Sequence, residues 1–323
     1  MSVSKLIHSI GLPVKGVIIT VVIPTFNRKE NIHILLEYLS IITPRNVQIY
    51  VVDNCSSVDL NLDKINKYNF SCHVKIFRNK YHIGPDASVV RALELGDSDW
   101  VYLLGDSKLP VENVFKIMLK DCIKYNAAWG IVYSFDRTIT QPVLINSLEA
   151  IPIKYGDFFL GGNSLISEKS LKKYLPLASQ LTITRMSHAI FHIMPLCNKE
   201  EVYLSSDRVV KEFIEKPLEY NPKLSLLECW AQFSLILLLP VSVKNQKIIN
   251  KLIVENESIE DRIIFLKFSL LAIFRHKKNI SPHLKKIILY RYLYMQFSLE
   301  KWLIVYPLYV LSLLAVPFNR EKS

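Results

Sequence analysis

The sequence predicts an α/β protein, with a mixed, mostly parallel central sheet, helices on both faces and a helical C-terminal region. Two observations carry this. Three short apolar runs, Val17–Asn27 (VIITVVIPTFN), Val47–Asn54 (VQIYVVDN) and Trp100–Ser107 (WVYLLGDS), are rich in β-formers and stop abruptly at polar residues. Continuous apolar runs of this kind mark strands covered on both faces, and their polar ends fall at the carboxyl edge, where open α/β sheets bind ligands. The chain of 323 residues is also 50% hydrophobic with 9 glycines, a composition that packs a core and excludes disorder.

The elements follow in order. Residues 1–14 hold no continuous apolar stretch and read as an N-terminal extension, not a signal peptide, which places the first strand on the cytoplasmic side. The main domain is expected over 15–220. Pro24–Asn27 turns from the first strand into a helix; Asn27 and Glu30 fit a capping box, and Ile32, Leu35, Leu36 and Leu39 share one face. Val111, Val114, Met118 and Cys122 line one side of a helix over 111–125, and 129–135 (WGIVYSF) reads as a strand. In Tyr155–Ile166 (YGDFFLGGNSLI), Gly161 and Gly162 make either an ordinary β-turn or one that brings backbone against a ligand.

The strand ends carry distinct chemistry. Asp53 offers a carboxylate to a base or ribose, while Asp106 is a hard oxygen ligand suited to the Mg²⁺ or Mn²⁺ that accompanies a diphosphate. The chain has neither G-x-G-x-x-G nor a P-loop, so the pattern points to a nucleotide sugar whose phosphates are held by metal rather than by a glycine-rich loop. Five cysteines, odd in number and without CxxC spacing, exclude a disulfide framework and a zinc site.

PTFNR, VVDNCS, RNKYHIGPDASVVRALELG and YLLGDS, taken together, resemble the nucleotide-binding half of family 2 glycosyltransferases of the GT-A fold. The likeness is close over the first half of the chain and holds only in outline over the second. It implies that Pro24, Thr25, Asn27 and Asp53 lie against the donor nucleotide, that Arg78 and Asn79 line its pocket, and that Gly84 and Arg91 lie near the diphosphate. Asp106 becomes the metal-binding aspartate, and Gly161, Gly162 and Asn163 line the donor and acceptor cleft. Relatives carry two or three acids where this turn reads Gly105-Asp106-Ser107-Lys108. Either one aspartate suffices, with Lys108 adding positive charge, or the site is weakened or independent of metal. For the catalytic base, the candidates are His188, which resembles a histidine of abequosyltransferase-like enzymes, then Asp157, followed by Glu168, His192 and Asp207.

The remainder, 221–323, is basic and apolar. Residues 241–323 carry 14 basic and 6 acidic side chains, interleaved with the runs 263–274, 287–295 and 302–318. Basic amphipathic helices fit a membrane surface; the plainer alternative is a helical subdomain with solvated lysines. The run from Trp302 to Phe318 falls short of the roughly 20 residues that span a bilayer. The sequence therefore supports a glycosyltransferase on the inner face of the cell membrane, moving sugar from a nucleotide-sugar donor to a lipid-linked glycan acceptor. A catalytically weakened nucleotide- or partner-binding protein is the alternative. Nucleic acid is not expected as a partner, because no binding motif accompanies the charge.

Overall fold

A computed structural model describes residues 3–11, 13, 15–134, 139–152, 162–182, 187–213 and 239–255. In chain order these form β1 (Ser4–Ile10), β2 (Ile19–Thr25), α1 (Lys29–Ile42), β3 (Val47–Asp53), α2 (Leu62–Ile65), β4 (Val74–Asn79), α3 (Pro85–Leu95) and β5 (Trp100–Leu103). Next come β6 (Lys108–Pro110), α4 (Val114–Lys124), β7 (Gly130–Tyr133), β8 (Val143–Ile145), β9 (Ser164–Ser167) and α5 (Glu168–Gln180). The described chain closes with α6 (Ile190–Cys197), β10 (Val202–Ser205), β11 (Val210–Phe213) and α7 (Val243–Glu255).

Among the described residues one sheet has nine strands in the order β1-β4-β3-β2-β5-β9-β7-β10-β8, and β6 pairs with β11 separately. Strands β4, β3, β2 and β5 run parallel; β9 reverses, and β7 and β10 resume the first direction. The sheet is thus mixed and mostly parallel. Its centre is apolar on both faces, as β2 and β3 show in their burial. Alternate side chains go to opposite layers: Val21 and Ile23 pack with Leu36 of α1 and Met118 of α4, whereas Val22 packs with Leu93 of α3.

Three features depart from the sequence reading. Ser4–Ile10, set apart as an extension, forms an antiparallel edge strand on β4. The capping box does not form: Arg28 is the N-cap of α1 and its side chain makes no capping bond, while Asn27 takes a left-handed φ of 53°. Its carboxamide oxygen instead accepts from the Ser57 backbone N–H at 2.8 Å and hydroxyl at 3.0 Å, tying the first strand-end turn to the second. Finally, Leu239 and the α7 residues Ile249 and Leu252 join the core beside Leu148, so this stretch packs on the α/β unit. The basic runs beyond Glu255 lie outside the described residues.

Candidate functional site

Because β2, β3, β4 and β5 share a direction, Thr25, Asp53, Asn79 and the turn with Asp106 are delivered to one edge of the sheet. Strand β9 runs the opposite way, so its beginning, preceded by Gly162 and Asn163, reaches the same edge.

At the β3 and β4 end, Asp53 is 1% exposed. One of its oxygens accepts from the Ser56 backbone N–H at 3.1 Å and from the Ser56 hydroxyl, and the other lies 3.5 Å from Arg78 Nε. Arg78 also donates to the Ser56 carbonyl at 2.7 Å and pairs with Asp59. Partial burial lowers the Arg78 pKa, but the hydrogen bond that Arg78 donates to Asp59 and the charges of Asp53 and Asp59 outweigh it, so the net shift is upward. A cleft of about 790 Å³ opens here, lined by Asp53, Arg78, Asp59, Leu60 and Ile7.

Asn54, one residue past Asp53, organises the next loop. Its side-chain oxygen accepts from Asn79 at 3.0 Å and from the Ile83 N–H at 3.1 Å, and its amide donates to the Gly84 carbonyl at 3.1 Å. Gly84 then starts α3 with φ 86° and ψ 163°, a conformation open to glycine alone. Phe26 and His82 put their rings 4.3 Å apart at the rim of this edge.

At the β5 end, Asp106 is 6% exposed, and both its oxygens are engaged. Arg28 donates to one at 2.6 Å, and the Thr25 hydroxyl to the other at 2.9 Å. Lys108 runs along Gly162: a Cβ built there would lie 3.0 Å from Lys108 Cδ and 3.4 Å from Nζ, and the φ of 98° itself demands glycine. The Gly162 carbonyl is fixed by Tyr102 Oη at 2.9 Å. Next to it Asn163 is buried, with its backbone carbonyl on Tyr133, and neither atom of its amide has a partner among the described residues. Such a group is costly to bury unless something supplies its bonds, which suits a polar ligand. Among the described residues no group of three His, Cys, Asp or Glu side chains is placed to hold a metal ion. At the 105–108 turn Asp106 is the single carboxylate, and Arg28 and Thr25 already occupy both of its oxygens.

Of the candidate bases, His188 lies in a short 3₁₀ turn, Ser187–Ala189, packed on α3. The turn is anchored by Ser187, whose hydroxyl donates to buried Asp86 at 2.7 Å in the first turn of α3. His192 is unsuited: burial, then the charge of His188, depresses its pKa to about 3, so it does not accept a proton near neutrality. Glu168 follows β9 and bonds to the Asp99 carbonyl before β5, at the opposite edge of the sheet. Asp207 follows β10 on the Asp106 side. Asp157 and Gly161 lie outside the described residues. Arg91 donates to Ser4 of edge strand β1 at 2.8 Å and pairs with Glu94 at 2.5 Å. The sequence reading gave no separate role to Arg28, Asn54 or Asp86. A basic residue one position past a strand-end turn was the available sign for Arg28.

The sheet sets six strands against three, with acids at the carboxyl ends of β3 and β5, an open mixed α/β architecture. Residues 20–172 match the family model described as Glycosyl transferase family 2, and this segment is a family 2 glycosyltransferase segment. An uncharacterized glycosyltransferase of Haemophilus influenzae is 27% identical over 88 residues, which cover 27% of this chain and 29% of that protein. The match thus spans less than a third of that relative. The crystal structure of S. aureus TarS 1-349 in complex with UDP-GlcNAc aligns with TM-score 0.55 at 14% identity, covering 77% of this chain and 79% of that one. A mannosyltransferase from Pyrobaculum calidifontis in complex with GDP-Man and Mn²⁺ aligns with TM-score 0.51 at 12% identity, covering 86% and 88%. At these identities the solved structures establish the GT-A fold.

Proposed function

We propose that the protein transfers a sugar from a nucleoside-diphosphate sugar to a hydroxyl of a lipid-linked glycan, at the cytoplasmic membrane surface, in the assembly of bacterial surface polysaccharide. The observation that carries this is the meeting at one sheet edge of the Asp53–Arg78 cleft, the Asp106 turn and the turn at Gly162, beside the buried Asn163 amide that has no partner among the described residues. The nucleoside fits the cleft, with the Phe26 and His82 rings as a stacking surface. The diphosphate then lies toward Arg28 and Lys108, and the sugar toward Asn163. The relatives named above support the donor class, since two of them hold UDP-GlcNAc and GDP-Man.

In the reaction the acceptor oxygen attacks the anomeric carbon, the bond from that carbon to the diphosphate oxygen breaks, and a base takes the hydroxyl proton. His188 fills that role in this reading, with Asp157 as the alternative, and attack opposite the leaving group inverts the anomeric centre. The transferred group is of hexosyl or deoxyhexosyl type. The lipid-linked acceptor rests on the basic, apolar sequence of 241–323. A second reading, a nucleotide- or partner-binding protein without turnover, is favoured by the single aspartate in the 105–108 turn.

A panel of nucleoside-diphosphate sugars separates the two. One donor should raise the thermal midpoint in proportion to occupancy and release nucleoside diphosphate with an acceptor present. His188→Ala should then lower kcat about a hundredfold and flatten the acid limb of the pH profile. Donor binding without turnover favours the second reading; normal turnover in the variant returns His188 to a structural role.

A further inference from the structure

We propose that the donor's diphosphate is held by Arg28 and Lys108 instead of a protein-bound divalent cation, and that Asp106 serves to aim Arg28. The inference rests on reading this edge as a nucleotide-sugar site. It begins from the carboxylate itself. Asp106 is buried, with Arg28 Nη1 at 2.6 Å on one oxygen and Thr25 Oγ1 at 2.9 Å on the other. A Mg²⁺ ion would have to sit about 2.0–2.1 Å from one of those same oxygens. It would lie within a few ångströms of the guanidinium, where like charges repel strongly because little water screens them. Arg28 would have to leave before the cation entered, and the turn offers no second acid in compensation, since Ser107 and Lys108 follow.

The pair makes better sense as a mount for the arginine. A guanidinium carries five N–H donors in a rigid plane, and one bond to Asp106 leaves the rest to meet phosphate oxygens. The Arg28 side chain is 29% exposed while that of Asp106 is 9% exposed, so the anchor is inside and the cation faces outward. Lys108 supplies a second positive charge from the strand-end turn that also carries Asp106. Its stem passes over Gly162, where any side chain would crowd it at 3.0 Å, so the glycine keeps a path open for the ammonium. Arginine and lysine both bring positive charge to the turn that carries Asp106, the sign that a departing diphosphate needs.

The test measures equilibrium binding of UDP and GDP to the full chain by calorimetry, in EDTA and then in Mn²⁺. Binding should occur in EDTA, with Kd changing less than about threefold on adding Mn²⁺. Arg28→Gln should weaken binding in EDTA about tenfold or more, and Arg28→Lys should recover part of the loss by restoring charge without the planar fork. Gly162→Ala, which displaces Lys108, should also weaken it. A native circular dichroism spectrum and thermal midpoint in each variant show that lost affinity is not lost fold. Binding seen only with Mn²⁺, or binding indifferent to Arg28→Gln, overturns the proposal while leaving the nucleotide site in place. Absence of UDP and GDP binding under both conditions overturns the site reading, and this proposal with it.

Discussion

Single residues at the sheet edge do two jobs at once, and Asp53 is the clearest case. Its carboxylate closes the turn through Ser56 and faces Arg78 across the cleft. Contacts to a base or ribose change little between ground and transition state, so Asp53→Ala should raise donor KM about tenfold with kcat nearly unchanged. It should also cost about 1–3 kcal/mol of stability, because the Ser56 N–H loses its buried acceptor. Steady-state kinetics with a urea titration checks both, and a kcat loss without a KM change would remove Asp53 from the nucleoside. The sequence exposed this residue because a lone acid ends an apolar strand. It did not expose the pairing of Arg28 with Asp106, which joins positions far apart in the chain and exists only once β2 and β5 lie side by side.

At the scale of elements, Gly130 opens β7 for a reason other than backbone freedom. A Cβ there would drive into the imidazole of His192 on α6 and approach the Leu165 carbonyl at 3.4 Å. Gly130→Ala should therefore destabilise the fold by about 1–3 kcal/mol, as overpacking does, with backbone strain absent. Because α6 directly follows the turn holding His188, kcat should fall as well. Urea unfolding and turnover report the two effects, and a variant as stable as the parent would mean α6 yields freely. The misread start of α1 teaches a related point. The spacing of Asn27 and Glu30 satisfied a local rule, yet the Asn27 carboxamide found better partners in Ser57, which sequence spacing cannot reveal.

For the molecule as a whole, acid stability follows from buried histidines. His192, held at about 3 by burial and then by the charge of His188, stays neutral in the folded chain, whereas the unfolded chain protonates near 6.5. The unfolded state thus binds the extra proton as pH drops below 6.5, and stability falls toward pH 3 by up to about 1.4 kcal/mol per pH unit. His33 and His73, lowered chiefly by burial, act in the same direction. Asp121, raised to about 6 by burial and then the charge of Asp207, opposes them, losing its contribution as pH rises through that value. His192→Gln should flatten the slope between pH 6 and 4.5, and an unchanged slope would assign the acid sensitivity elsewhere. Among the described residues no helix is long and apolar enough to cross a membrane. Ending the chain before Trp302 should weaken co-sedimentation with anionic vesicles, while each remaining basic group near the surface adds about 1 kcal/mol and keeps it sensitive to salt. Equal sedimentation of both forms would remove the last run from the surface contact.

The sequence by itself determined the α/β class, the strands β2, β3 and β5, and the acids at the ends of β3 and β5, because burial on both faces demands continuous apolar runs that must stop where ligands and water begin. Only the tertiary structure decided that Ser4–Ile10 completes the sheet edge, that Arg91 reaches Ser4, that His192 is too deeply buried to take a proton near neutrality, and that Arg28 closes on Asp106. Each of these depends on pairings across strands or between helix and sheet. Such long-range contacts leave no period and no spacing in the chain, so they can be known only after it has folded.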